Sequence, residues 1–264
     1  MGMLVGKVAL ITGASMGIGS GIAKVFAQEG ARLALAARSE QTAALAADLR
    51  RSGAEALALT VDVTDPASIQ NGVERTVKTY GGLDILVNNA GVCRLGAFEN
   101  MSAADRDLHF AVNVKGVWDA TKAALPYLKK SQNGKIIIMS SVTGDLVADP
   151  GEVAYATTKA ALIGFTKALA VEVAPHKINV NAICPGYVLT PMAQSIAKQS
   201  NPDNPDAVIQ GIAAAVPLKR LADPEEVGQL AAFLASPGAN YLTGAQFVID
   251  GGSTLPETVS VGAA

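Results

Sequence analysis

The chain has 264 residues, of which half are hydrophobic and 17% charged, with a formal net charge of −2 and no basic stripe. A nucleic-acid surface and a polybasic membrane anchor are therefore not expected, and the apolar content suffices for one large core. No apolar run reaches the roughly 20 residues of a membrane span, and the first residues lack the pattern of a signal peptide. Cys93 and Cys184 are far apart and without CxxC spacing. Two reduced thiols in a cytoplasmic protein are the expectation.

Short apolar runs alternate with segments of helical period. Val8 to Thr12 reads as a first strand and Ile18 to Gln28 as the helix after it. Arg32 to Ala37 is the second strand, followed by a helix over Gln41 to Arg51. Ala56 to Val61 is the third, and Pro66 suits the first turn of the next helix, with Asp65 as its cap. Asp84 to Val87 is the fourth strand. A long helical region from Ser102 to about Lys130 is expected to be interrupted near Pro126. Lys135 to Met139, Ile178 to Ile183 and Phe247 to Ile249 complete the strands, with a helix over Val153 to Val173 between the first two of these. The strands are continuous apolar runs, as in strands buried on both faces. One α/β domain follows, with a doubly wound (Rossmann) parallel sheet of about seven strands and right-handed crossovers. A polar stretch at Gln199 to Pro205, inside the segment 191–215, reads as part of a substrate lid.

After the first strand comes Thr12-Gly13-Ala14-Ser15-Met16-Gly17-Ile18-Gly19. Gly13 permits a tight turn, Gly17 lets backbone approach a pyrophosphate, and Gly19 lets helix pack on strand. The free N–H groups of the helix N-terminus complete a phosphate site, to which Ser15, Met16 and Ile18 contribute. The spacing is GxxxGxG, and from here the sequence resembles the short-chain dehydrogenase/reductase family over nearly its whole length. Asn88-Asn89-Ala90-Gly91 resembles that family's NNAG turn. Asn113, Ser141, Tyr155 and Lys159 match its catalytic set, and Pro185-Gly186 with Val188, Thr190 and Met192 its segment at the cofactor carboxamide. Segments 92–94, 143–151 and 251–261 resemble one bacterial branch in particular. The resemblance implies hydride transfer between a nicotinamide cofactor and a carbonyl or alcohol, and a homotetramer built through long helices, with Trp118 and Phe165 as candidate contacts. The apolar tail from Leu255 to Ala264 is expected to dock on a neighbour.

The tip of the second strand decides which adenosine ribose fits. A carboxylate there would favour NAD; this chain has Ala37-Arg38-Ser39. Arg38 can pair with a 2′-phosphate, so NADP(H) is expected and NAD(H) remains possible, since Met16 stands where many NADP-preferring members have a basic residue. Asp62, with Val63 beside it, resembles the acid that meets the adenine amino group. Asn89 to Gly91 lets backbone pass the adenine ribose, while Asn88 is expected to tie neighbouring strands together.

Tyr155 and Lys159 are four residues apart on one helical face. A phenol of pKa about 10 needs a neighbouring ammonium to act as a base near neutrality. Ser141 would donate to the substrate oxygen, with Ser140 as a second candidate. The resemblance gives Asn113 a water linking Lys159 to solvent. Arg94 and Tyr187 are candidate substrate contacts, Arg94 for an anionic group. His109 and His176 stand alone, and no cluster has metal-ligand spacing. Two other readings stay open: a 3-oxoacyl-thioester reductase, and a dinucleotide-sensing protein without chemistry.

Overall fold

The fold is that of a computed structural model, which describes residues 2–256. Among these residues, seven parallel strands form one sheet in the order β3-β2-β1-β4-β5-β6-β7. They are β1 (Val8–Thr12), β2 (Arg32–Ala37), β3 (Ala56–Thr60), β4 (Ile85–Asn88), β5 (Lys135–Met139), β6 (Asn179–Pro185) and β7 (Gln246–Ile249). Among the described residues, nine α-helices connect or follow them: α1 (Gly17–Gln28), α2 (Gln41–Arg51), α3 (Pro66–Tyr80), α4 (Ala103–His109), α5 (Gly116–Leu128), α6 (Val153–Val173), α7 (Pro191–Ser200), α8 (Pro205–Ala215) and α9 (Pro224–Ala235).

The central strands are buried on both faces because successive side chains point to opposite sides. Ala9 and Ile11 of β1 pack with Leu33 and Leu35 against Ile22 and Phe26 of α1 and Val227 and Ala231 of α9. Val8 and Leu10 pack with Ala34 and Ala36 against Val73 of α3, Ala120 of α5 and Leu162 of α6. The expected doubly wound architecture is therefore present, with two apolar layers separated by the sheet. The chain adds β2 and β3 on one side of β1 and β4 on the other. That reversal opens a crevice at the C-terminal ends of β1 and β4.

Three helices begin with a proline just inside a capping side chain. Asp65, Thr190 and Asn204 each accept a hydrogen bond from a backbone N–H two or three residues on, ahead of α3, α7 and α8. Asp223 and Glu226 form a capping box before α9, again with proline next. The same signature at residues 190–191 and 223–224 announces α7 and α9, neither of which the apolar periodicity picked out.

The long region after Ser102 breaks elsewhere than expected. Pro126 lies inside α5. It sits in the last turn, so it costs the Lys122 carbonyl its helical donor but leaves only two residues of helix beyond it. The break is a π turn over Phe110–Lys115, which joins α4 to α5 and holds the buried Asn113. Residues 257–264 lie outside the described residues, and with them most of the tail expected to dock on a neighbour.

Candidate active site

A cleft of about 1410 Å³ runs along the C-terminal edge of the sheet. One end is built by the glycine turn. Gly13 adopts φ +64, and a Cβ there would lie 2.8 Å from Ala90 Cα. Gly19 is tighter still, since its Cβ would fall 2.2 Å from the Gly13 carbonyl oxygen and 2.6 Å from Asn89 Nδ2. Asn89 Nδ2 donates to the carbonyls of Thr12 (3.0 Å) and Gly13 (3.1 Å), and Thr12 Oγ1 accepts from the N–H groups of Asn89 and Ala90. The turns after β1 and β4 are thus one hydrogen-bonded unit. Met16, at the N-cap of α1, makes no side-chain cap, so the helix presents N–H groups and the positive end of its dipole to the cleft. Gly13, Ser15, Met16, Gly17 and Ile18 line it; Gly19 does not, and serves the packing behind. Gly17, at φ +54, faces Thr190, whose methyl would be 3.2 Å from an added Cβ.

The tips of β2 and β3 form the next wall, with Arg38, Ser39, Asp62 and Val63 lining the cleft. The N–H and hydroxyl of Thr64 hold the Asp62 carboxyl below the usual carboxylate range, and the other carboxylate oxygen lies 3.8 Å from Arg38 Nη1. The Arg38 side chain is 69% exposed, free to turn toward an anion in the cleft. Asp65, not Asp62, caps α3. Asn88 does not tie strands together: its amide donates to Thr121 Oγ1 on α5 at 2.9 Å.

The middle of the cleft holds Asn89, Ala90, Gly91, Ser141, Tyr155, Lys159, Pro185, Gly186, Val188, Thr190 and Met192, all among its lining residues. Of the two serines, Ser140 is engaged, donating to the Lys159 carbonyl at 2.9 Å. Ser141 accepts from the Thr143 N–H at 3.1 Å, which leaves its hydroxyl proton free. Asn113 is fully buried and does not reach the cleft wall. Its oxygen accepts from Val92 N–H (2.9 Å), and its nitrogen donates to the Val92 carbonyl and to Thr158 Oγ1 (both 3.0 Å). It therefore ties the loop after β4 to α6, one residue from Lys159. The π turn is what swings it inward.

Lys159 is buried, and its Nζ donates to the Met139 carbonyl at 2.8 Å and lies 5.5 Å from the Tyr155 ring centroid. Burial pulls its pKa down to about 8. The same burial, with Cys93 adding to it, pushes the Tyr155 phenol above its ordinary value, and the nearby Ser141 hydroxyl offsets only part of this. The expected acidification of the phenol by Lys159 is therefore overcome by desolvation in the protein by itself, where the ammonium donates to a backbone carbonyl.

Between pH about 8 and 10.5 the unfolded chain keeps a proton that folded Lys159 has lost, so this residue makes stability rise with pH in that window. Replacing Lys159 by Met is expected to raise the melting temperature most near pH 7 and least near the top of the window. Melting curves showing the same difference at both ends would refute the assignment.

The far end of the cleft is lined by Val92, Leu95, Val147, Asp149, Pro150, Glu152, Tyr187, and residues of α7, α8 and the segment after them. Tyr187 donates to Asp149 Oδ2 at 3.4 Å across the rim. Arg94 is not there. Its guanidinium pairs with Asp105 at the start of α4, and its backbone N–H donates to the His109 ring at 3.1 Å. The structure therefore does not bring Arg94 into the cleft, as the substrate-contact expectation required. His109 is a buried packing residue and His176 is exposed. Val216 and Pro217, just beyond the expected lid segment 191–215, also line the cleft, and no local signal marked them.

Among the described residues no three His, Cys, Asp or Glu side chains form a metal site, and no helix is long and apolar enough to cross a membrane. A family model described as enoyl-(acyl carrier protein) reductase matches residues 13–254. The chain belongs to the short-chain dehydrogenase/reductase family and is an NAD(P)-dependent oxidoreductase. It is 62% identical over 262 residues to the Oxidoreductase UcpA of Salmonella typhimurium, covering 99% of this chain and 100% of that one. It is 40% identical over 257 residues to the 3-oxoacyl-[acyl-carrier-protein] reductase FabG of Thermotoga maritima, covering 96% and 99%. The L-sorbose reductase of Gluconobacter frateurii, solved with NADPH and L-sorbose, superposes with a TM-score of 0.91 at 36% identity, covering 97% of this chain and 100% of that one.

Proposed function

We propose that this protein reduces a carbonyl, or oxidises the matching alcohol, with Tyr155 as proton donor or acceptor. The observation that carries the reading is the meeting of Ser141, Tyr155 and Lys159 in one cleft with a glycine turn and an uncapped helix N-terminus. The close backbone approach at Gly13 and the free N–H groups of α1 fit a dinucleotide's pyrophosphate. When bound, the nicotinamide supplies or takes the hydride. Ser141 and Tyr155 hold the substrate oxygen, and Tyr155 gives its proton as negative charge develops there. Lys159 stabilises the phenolate left behind, and Asn113 fixes the helix turn from which Lys159 projects, on the route by which the proton is restored. Helices α7 and α8 form the lid.

A screen of aldehydes, ketones, sugars and acyl thioesters, followed by cofactor absorbance with NADH and NADPH, tests this. Consumption of cofactor with a carbonyl substrate is expected; none with any class would overturn the reading. A 3-oxoacyl thioester is the second reading, favoured by the likeness to FabG and by the apolar lining from Ile196, Val208 and Ile212.

The preferred cofactor is NADP(H). Arg38 supports this, exposed at the strand tip where a carboxylate would select NAD, and the related L-sorbose reductase was solved with NADPH. Losing one charge-assisted pair to a 2′-phosphate is worth about 1.5–3 kcal/mol. Arg38→Ala should accordingly raise the KM for NADPH roughly tenfold or more and leave that for NADH nearly unchanged; equal effects on both would reject the preference. A homotetramer is part of the same reading: Trp118 is 58% exposed beside Phe165, offering an aromatic patch on α5 and α6. The free thiols Cys93 and Cys184 fit the cytoplasm.

A further inference from the structure

We propose that Glu152 determines the substrate class: it accepts a hydrogen bond from a hydroxyl near the reacting carbonyl, so the preferred substrates are hydroxylated ketones or aldehydes. This rests on the carbonyl-reductase reading above.

Glu152 lines the cleft yet is only 9% exposed, and its Oε2 is buried without a hydrogen-bond partner. A buried carboxylate oxygen without a partner is unfavourable, and a structure that retains one leaves it to be met by something outside the chain. The residue has a conventional role at hand and does not take it. Glu152 stands at the N-cap of α6, but its side chain makes no cap hydrogen bond; only its backbone carbonyl joins the helix, accepting from Ala156 N–H at 2.7 Å. The carboxyl group lies in the wall of the cleft, beside the Thr143 hydroxyl. No ion pair within 4.0 Å involves it among the described residues.

Its place relative to Tyr155 defines the ligand. Glu152 is the N-cap and Tyr155 lies in the first turn of α6; both line the same cleft, and the carboxyl is near enough to help raise the phenol's pKa. An acceptor so close to the phenol meets a substituent one or two carbons from the carbonyl. The substituent must donate a hydrogen bond, and a hydroxyl suits the site better than an ammonium. Burial and the Asp149 charge push the Glu152 pKa upward, the Thr143 hydroxyl offsetting part of this, and a hydroxyl can pair with either protonation state, whereas an ammonium needs the charged one. An ammonium would also sit near the Lys159 cation. Farther out, the Tyr187–Asp149 pair at the rim offers acceptors for a second hydroxyl.

The test compares matched substrates with the full chain and saturating cofactor: an alkyl ketone, its α- and β-hydroxy counterparts, the α-amino counterpart, and a ketohexose. The wild type is expected to favour the hydroxylated ketones at least about tenfold in kcat/KM. Glu152→Gln should lose most of that preference through KM, and Glu152→Leu should shift it toward the alkyl ketone. Cofactor affinity and melting temperature, measured on the same variants, report whether they fold. If neither variant folds, the wild-type preference ratio decides. Equal kcat/KM for hydroxylated and alkyl ketones, a preference for the aminoketone, or a uniform fall in kcat on all substrates in Glu152→Gln would each overturn the proposal. Failure of the wild type to consume cofactor with any carbonyl would instead remove the carbonyl-reductase reading, and this assignment with it.

Discussion

Tyr155→Phe is expected to lower kcat by roughly 10²–10⁴ while cofactor affinity moves far less. The substitution keeps the ring and removes one oxygen, so the half-buried packing of the side chain survives. What disappears is the titratable hydroxyl beside Ser141, on a ring whose centroid lies 5.5 Å from the Lys159 ammonium. The phenol sits above its ordinary pKa because it is buried. That favours its service as an acid in the reducing direction, where a protonated phenol is the required form. In the oxidising direction the phenolate is required, and the rate should climb with pH well past neutrality, flattening only when the phenol has titrated. Steady-state rates in both directions, with calorimetric cofactor binding on the variant, check this. A Phe variant with more than about a tenth of wild-type kcat would remove Tyr155 from the chemistry.

Gly19→Ala should be strongly damaging. Its Cβ would lie 2.2 Å from a backbone oxygen and 2.6 Å from the Asn89 amide, and neither can withdraw without breaking the unit that joins the two turns. Overpacking of this kind costs about 1–3 kcal/mol or more, which for a chain of this size lowers the melting temperature by roughly 2–4 °C per kcal/mol. The expected result is a fall of several degrees together with weakened cofactor binding, because α1 can no longer seat against β1. Gly211, by contrast, lies inside α8 with nothing within 4 Å of an added Cβ, so Gly211→Ala should stabilise by about 0.5–1 kcal/mol and serves as the opposite control. Equal melting temperatures for the two variants would show that the turn yields where the contacts say it cannot.

Much of the fold was legible because it is written in local pattern. Strands buried on both faces must be continuous apolar runs, and β1, β2 and β5 have the bounds their sequences suggest. Tyr155 and Lys159 share a helix, so their common face follows from spacing alone. The helices α7 and α9 were less visible because α7 is polar along much of its length and α9 follows a loop. Their evidence lay in the cap-and-proline pairs at Thr190-Pro191 and Asp223-Pro224.

The amino-acid sequence by itself determined the doubly wound sheet, the glycine turn and which residue types could move a proton, since these depend on neighbours within a few positions. Only the tertiary structure decided that Ser141 rather than Ser140 has a free hydroxyl, that Asp105 holds Arg94 away from the cleft, that burial raises the Tyr155 pKa, and that Glu152 has an oxygen without a partner. Each of these turns on solvent exclusion or on a contact between distant segments. Desolvation and charge pairing act through space, so no spacing along the chain encodes them directly.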